Sequence, residues 1–164
     1  MSGVRYQAGM RVEDVYPPQP KGHCLCGCGQ RLPPRRRKWA SDACIAVAVR
    51  RYEILKGDAH VIRMALRERD LAVCVRCFRQ CEVLACRWPR DPGHYLNGSL
   101  TGVYYRKALI PWEAHHVVPV VEGGGGCDLE GYETLCVDCH RAETAELARR
   151  RALGRRGQME LEVR

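Results

Sequence analysis

The sequence predicts an α+β protein, and three patterns carry that prediction. Apolar residues recur at helical spacing after Ser41, which indicates a helix in the first half of the chain. From residue 114 to residue 153 the order is a strand, a glycine-rich turn, a second strand and a helix, which together make a ββα unit. Eleven cysteines accompany a single Phe in 164 residues, so metal-bound thiolates are expected to supplement a small aromatic core.

The front of the chain divides into two predicted segments. Residues 1–21 contain several prolines without periodicity and are expected to be an extended lead-in. Residues 22–57 hold a cysteine-rich knuckle, a basic loop and a helix. Ser41 is a suitable N-cap for that helix, because its hydroxyl can accept a hydrogen bond from the first turn, and Gly57 is expected to end it.

Residues 58–164 form the third predicted segment, which holds a connecting helix and the ββα unit. The stretch over 88–106 contains Pro, Gly and Asn, which favour a variable insert or loop. The predicted elements of the whole segment are a helix over 58–69, strands over 71–75 and 80–85, a variable insert or loop over 88–106, strands over 114–121 and 132–135, and a helix over 139–153 ended by Gly154.

Two separated Cys-x-x-Cys pairs predict a zinc site. Cys74 and Cys77 form the first pair, and Cys136 and Cys139 form the second. A tight turn lets each pair aim two sulfurs at one tetrahedral ion, and four thiolates leave no position for a substrate. The predicted role is therefore structural, with unrelated buried cysteines as the alternative. Such an ion would fix the start of the helix that carries His140.

His115 and His116 lie side by side in the predicted strand. Adjacent side chains of an extended backbone point to opposite faces, so the two imidazoles are expected to have different tasks. One can face a metal while the other takes a proton from water. His140 can complete the metal site with His115. Phosphodiester hydrolysis needs these parts, a base for water and a cation for the developing charge.

These motifs resemble an HNH, or ββα-metal, endonuclease domain of the zinc-stapled kind. The resemblance covers residues 71–153 and rests on Ala-His-His-Val-Val-Pro-Val at 114–120, the glycine run at 123–126 and Leu-Cys-Val-Asp-Cys-His at 135–140. It implies a catalytic role for His116 as the general base that activates water. It also implies two metal sites, with His115 and His140 on the catalytic cation and Cys74, Cys77, Cys136 and Cys139 on the structural zinc.

The same resemblance implies metal-dependent hydrolysis of DNA, with RNA as a second possible substrate class. Imidazole ligands admit Mg²⁺ with waters, Mn²⁺, Ni²⁺ or Zn²⁺. The family commonly has an Asn where this chain has Gly131. Gly can adopt the positive-φ backbone expected there, but it lacks the side-chain hydrogen bond. A zinc-stabilised nucleic-acid-binding module without catalysis is therefore the alternative function.

The front half resembles an arrangement in which a small cysteine knuckle and two helices precede an HNH domain, as in the HNH domain attached to an annealing helicase. That arrangement usually has a cysteine where this chain has Ala40. A second zinc would therefore need another fourth ligand, and a reduced loop without metal is the alternative. The expected ligands of this second zinc are Cys24, Cys28 and Cys44, with Cys26 or His23 in the fourth place.

The net charge of +8, from 27 Lys and Arg against 19 Asp and Glu, favours a polyanionic partner such as DNA or RNA. A solvated basic surface is the alternative. Two basic clusters are expected to contact phosphates on either side of the cut. They are Arg35, Arg36, Arg37 and Lys38 in the knuckle, and Arg149, Arg150 and Arg151 in the last helix.

The apolar runs of the chain are short. None approaches the roughly 20 residues that span a bilayer, and residues 1–11 lack the apolar core of a secretory signal. An intracellular, reducing location is therefore expected, with no membrane partner, and thiols remain available to metal there.

Overall fold

The computed structural model describes residues 4–86, 95–96, 99–100 and 104–162, which contain three α-helices and three two-stranded sheets. This mixture confirms the predicted α+β class. The chain divides into two compact units. Unit 1 comprises Met1–Arg69 and Ala114–Glu133, and unit 2 comprises Asp70–Glu113 and Thr134–Arg164.

Two helices of unit 1 begin and end close to the predicted residues. Helix α1 spans Asp42–Lys56, where the Ser41 hydroxyl accepts a hydrogen bond from the backbone N–H of Cys44 at 3.2 Å. Gly57 ends the helix with a left-handed φ of 90°. Helix α2 spans Ala59–Asp70, one residue later than predicted.

The apolar core of unit 1 joins α1 to the lead-in. Val15, Ala48 and Leu55 are buried at its centre, and full burial of a side chain as large as Leu contributes about 1.5–3 kcal/mol. The predicted lead-in also contains a 3₁₀ turn, Val12–Asp14. Partly buried apolar side chains complete the cluster: Val4, Tyr6, Met10, Val12, Tyr16, Trp39 and Tyr52. Part of the predicted lead-in, from Val4 to Tyr16, therefore contributes to packing. The predicted domain limits at residues 21 and 57 stay a prediction.

Unit 2 contains a sheet of strands β1 (Glu82–Cys86) and β4 (Tyr104–Ala108). The two strands are antiparallel, with Glu82 opposite Ala108. Strands β2 (Tyr95–Leu96) and β3 (Ser99–Leu100) form a second pair. The loop predicted over 88–106 is therefore wrong at β2, at β3 and at the start of β4, where the chain forms strands. The rest of that prediction, at 88–94, 97–98 and 101–103, lies outside the described residues.

The predicted strand over 71–75 is wrong. Leu71 and Ala72 have φ values of 53° and 55°, in the left-handed region that cannot continue a strand. Only an isolated bridge remains there, between Val73 and Gln80. The backbone of residues 71–75 therefore turns, and it forms a second knuckle that carries Cys74.

The predicted ββα unit is present with different limits. Strand β5 spans Trp112–His116, strand β6 spans Tyr132–Cys136, and these two strands form one sheet. The strand predicted over 114–121 therefore ends early. Pro119 cannot donate a backbone hydrogen bond, and a 3₁₀ turn, Val120–Glu122, follows it.

Helix α3 spans Val137–Glu162 and passes through Gly154, so the predicted stop at that glycine is wrong. A glycine inside a helix costs only about 0.5–1 kcal/mol relative to Ala. The neighbouring Arg, Leu, Gln, Met and Glu residues are strong helix formers and offset that cost.

Candidate functional site

Four thiols converge in unit 2. The Sγ atoms of Cys74, Cys77, Cys136 and Cys139 all lie within 4.8 Å of one another. The Cys77 and Cys136 sulfurs are 3.7 Å apart, which matches the separation of about 3.8 Å expected for two thiolates on one tetrahedral zinc. The structure therefore brings together the four cysteines predicted as a structural site, and the cluster could hold a metal such as zinc.

Hydrogen bonds hold the first cysteine pair next to strand β6, which ends at the second pair. The Phe78 N–H donates to the Cys74 carbonyl at 2.8 Å and closes the first turn. The Val75 N–H donates to the Thr134 carbonyl at 3.0 Å, which ties this turn to β6 two residues before Cys136. The buried Thr134 hydroxyl donates to the Asp70 carboxylate at 2.7 Å. The knuckle is thus held at both ends by strand β6.

Arg79 compensates the negative charge of this cluster. Its guanidinium donates to the Cys77 sulfur at 3.3 Å and to the Cys136 sulfur at 3.6 Å, and it pairs with Asp138 at 3.1 Å. The hydrogen bond from Arg79 lowers the pKa of Cys77 to about 6, so this thiol is ready to bind metal as thiolate. A hydrogen bond with Cys136 raises the pKa of Cys139 to about 12. Sequence reasoning missed Arg79, because no spacing rule marks an arginine two residues after a cysteine pair.

A second group of four thiols lies in unit 1. The Sγ atoms of Cys24, Cys26, Cys28 and Cys44 lie within 4.8 Å of one another. Among the described residues, this group includes Cys26 and not His23 as its fourth member. The knuckle predicted to hold a second zinc could therefore bind a metal through thiols alone.

Backbone and hydroxyl donors surround the second group. The Ala40 N–H donates to the Cys24 sulfur at 3.2 Å, and the Ser41 hydroxyl donates to the Cys44 sulfur at 3.2 Å. Burial raises the pKa of Cys24, but the N–H donors of Ala40 and Cys26 outweigh it and lower that pKa to about 7. Ala40, which stands where a cysteine was expected, thus contributes through its backbone.

His115 and His116 are the last two residues of β5. The ring centroid of His116 lies 4.5 Å from that of Tyr132, with 47° between the ring planes. Burial, followed by the neighbouring charge of His115, lowers the pKa of His116. This imidazole is therefore neutral near pH 7 and has a lone pair that can accept a proton.

His140 lies in the first turn of α3, in unit 2. Its Nδ1 atom is 3.1 Å from a carboxylate oxygen of Glu113. A carboxylate beside one ring nitrogen orients the imidazole and favours the tautomer with the proton on that nitrogen. Glu113 was not predicted from the sequence, although a carboxylate two residues before the histidine pair was a possible signal.

Gly131 is required by a close contact and not by an unusual backbone angle. Gly123 and Gly126 have φ values of 89° and 63°, but Gly131 is not among the glycines with positive φ, so that expectation is wrong. A Cβ atom on Gly131 would lie 2.4 Å from the Cys127 sulfur. The Gly131 carbonyl accepts a hydrogen bond from Val117, the residue after His116, at 2.9 Å. The turn therefore needs a residue without a side chain.

The basic clusters are partly engaged in ion pairs. Arg36 pairs with Asp42 at 2.8 Å and Lys38 pairs with Glu13 at 2.9 Å. Such surface pairs contribute only about 0–1 kcal/mol, so phosphates can compete for these cations. Arg35 and Arg37 are exposed, and so are Arg149, Arg150 and Arg151, of which Arg149 also contacts Glu146.

Within the part of the chain that the structure describes, no helix has the length and apolar character to span a membrane.

Three relatives are named "DNA annealing helicase and endonuclease ZRANB3". The cow protein is 47% identical over 132 residues and the mouse protein 26% over 132 residues, in each case 72% of this chain. The human protein is 24% identical over 143 residues, or 79% of this chain. The matched part covers only 12% or 13% of these relatives. No solved structure matches. Residues 106–146 match the HNH endonuclease family, so an HNH domain occupies this part of the chain, as the histidine and cysteine motifs predicted.

Proposed function

We propose that this protein is a metal-dependent endonuclease that hydrolyses DNA phosphodiester bonds. The observation that carries the proposal is the HNH match over residues 106–146, which contains His115, His116 and His140. The net charge of +8 supports a polyanionic substrate. The relatives are named as a DNA annealing helicase and endonuclease, which supports DNA as the class of nucleic acid.

His116 is the proposed general base. Its neutral imidazole accepts a proton from a water molecule, whose oxygen then attacks the phosphorus atom. The bond from phosphorus to the leaving sugar oxygen breaks in the same displacement. The partial burial of His116 supports this role, because a neutral imidazole can accept a proton at physiological pH.

His115 and His140 are the proposed ligands of the catalytic cation. Their imidazole nitrogens suit Mg²⁺ with waters, Mn²⁺, Ni²⁺ or Zn²⁺, and Glu113 supports the ligand tautomer of His140. When bound, the cation stabilises the charge on the phosphate and the leaving oxygen. This assignment rests on the motif and on the donor chemistry of each residue.

Both thiol groups are proposed to hold structural zinc. Four thiolates close the coordination sphere, so neither site offers a position for substrate. Zinc binding at such sites supplies about 10–16 kcal/mol of apparent folding free energy at pH 7. The group of Cys74, Cys77, Cys136 and Cys139 would then stabilise the start of α3, where His140 lies.

Cleavage of supercoiled plasmid tests the proposal. The parent protein is incubated with Mg²⁺, Mn²⁺, Ni²⁺ or Zn²⁺ beside two variants, His116→Ala and His60→Ala, the second of which alters an exposed histidine of α2. We expect His116→Ala to lose a factor of about 10² to 10⁴ in rate, as general bases typically contribute. His60→Ala should match the parent. Equal rates in the parent and His116→Ala would refute the mechanism.

A nucleic-acid-binding module without catalysis is the second candidate. Gly131 favours it, because it cannot supply the side-chain hydrogen bond of the Asn that the family commonly has. Retention of labelled DNA by the parent, without cleavage under any of the four cations, would support this candidate. Parallel reactions with labelled RNA distinguish the two substrate classes.

A further inference from the structure

We propose that Tyr132 is a positioning residue for the general base. Its ring holds the imidazole of His116 in one orientation, and Cys127 lies beside the Tyr132 hydroxyl. This inference rests on the proposed function, because it concerns the same histidine. All three residues belong to unit 1.

The contact between the two rings is close. Their centroids are 4.5 Å apart and their planes meet at 47°. Aromatic pairs are found at centroid separations of about 4.5–7 Å, so this pair is at the near limit. Tyr132 is only 3% exposed and begins strand β6, so its ring cannot move without disturbing the strand.

Cys127 lies beside the Tyr132 hydroxyl. Burial first, and then the neighbouring Cys127 thiol, raise the pKa of Tyr132. Cys127 can lie there because Gly131 has no side chain: a Cβ at residue 131 would be 2.4 Å from the sulfur and 2.7 Å from the Cys127 Cβ. An Asn at residue 131 would therefore displace Cys127. Gly131 thus leaves space for Cys127. The proposed support of His116 is then the ring of Tyr132, where the family commonly has the side-chain amide of an Asn.

The backbone places the two rings in register. Val117, which follows His116, donates its N–H to the carbonyl of Gly131, which precedes Tyr132, at 2.9 Å. His116 and Tyr132 are therefore neighbours in the sheet, and the contact of their side chains follows from the pairing of their strands. This hydrogen bond positions the backbone of His116, and the tyrosine ring contacts its imidazole with the two planes at 47°.

A general base depends on such support. Proton transfer requires the accepting nitrogen to be within about 2.6–3.2 Å of the water oxygen. A displacement of about 1 Å can cost a factor of about 10² in rate. A buried tyrosine ring whose centroid is 4.5 Å from that of the imidazole restricts rotation about the Cβ–Cγ bond of His116. That rotation is the motion that would carry the nitrogen away from the water.

The test is a double-mutant cycle on the full chain. Tyr132→Phe keeps the ring, whereas Tyr132→Leu removes it, and each is made with His116 intact and in the His116→Ala background. With His116 intact, we expect Tyr132→Leu to lower kcat for plasmid cleavage by about 10- to 100-fold with KM unchanged. Tyr132→Phe should retain most of kcat. In the His116→Ala background, Tyr132→Leu should cause no further loss.

Two kinetic results would overturn the inference. One is equal kcat in Tyr132→Leu and Tyr132→Phe. The other is a loss of the same size in both backgrounds, which would mean that Tyr132 acts through something other than His116.

A measurement on the parent protein keeps the inference testable if Tyr132→Leu fails to fold or if the parent does not cleave DNA. Nuclear Overhauser effects between the ring protons of His116 and Tyr132 should be strong in the parent and in Tyr132→Phe. Their absence in the parent would overturn the inference. Their presence in a parent that cleaves neither DNA nor RNA would refute the proposed function and leave the orientation of the imidazole established.

Discussion

Replacing Gly131 by Ala should destabilise the protein through a collision with Cys127. The new Cβ would lie 2.4 Å from the Cys127 sulfur and 2.7 Å from its Cβ. Carbon atoms that touch are normally about 3.5–4.0 Å apart, so one of the two residues must move by about 1 Å. Overpacking of this kind typically costs about 1–3 kcal/mol. The backbone hydrogen bond from Val117 to Gly131 lies in the same turn and should weaken as well.

Urea denaturation of the zinc-loaded protein measures this destabilisation. Gly125→Ala is the matched control, because its Cβ would meet only Val120 Cγ1, at 3.5 Å, which is an ordinary separation. The control should range from no change to a gain of about 1 kcal/mol from the stiffer unfolded chain. Gly131→Ala should also cost less in a Cys127→Gly background, where both clashing atoms are gone. A Gly131→Ala variant as stable as the Gly125→Ala control would refute the argument from close approach.

Two further predictions concern the charged side chains. Arg79→Gln should weaken zinc binding, by about 10- to 100-fold for a residue that supports metal ligands, and a chromogenic chelator should report faster release. Arg76→Gln is the control, because Arg76 pairs with Glu143 at 3.2 Å; equal release from both variants would contradict a role for Arg79 at the thiolates. Replacing Arg149, Arg150 and Arg151 by Gln should flatten the dependence of DNA affinity on salt by about 0.9 in logarithmic slope for each phosphate that is no longer neutralised. An unchanged slope in fluorescence anisotropy titrations would assign this cluster to a solvated helix surface.

Local chemistry explains which features could be predicted from the sequence. Ser41 and Gly57 bound α1 because a cap acts within one helical turn, and both ends were found where expected. The group of Cys74, Cys77, Cys136 and Cys139 was also predictable, since the spacing within each pair is set by a tight turn. For the other group, the sequence left the fourth member open between Cys26 and His23.

The features that were missed depend on residues distant in the chain. Arg79 approaches Cys136 across 57 positions, and no sequence pattern links them. The need for Gly131 comes from the packing of Cys127 and not from a positive φ such as Gly123 and Gly126 have. Helix α3 continues through Gly154 and Gly157 because the surrounding residues favour a helix strongly enough to tolerate both glycines. A prediction made from one residue type therefore fails where tertiary packing, or the helix propensity of the neighbouring residues, decides the local structure.

The interleaved order of the two units limits how the HNH domain could be moved into another protein. The chain changes unit after Arg69, after Glu113 and after Glu133, so neither unit is a continuous stretch. The family match at residues 106–146 includes Cys136 and Cys139 but not Cys74 or Cys77. A fragment cut at residues 106 and 146 would contain only two of the four thiols of this cysteine group. A portable cassette that keeps all four thiols would have to start upstream of Cys74.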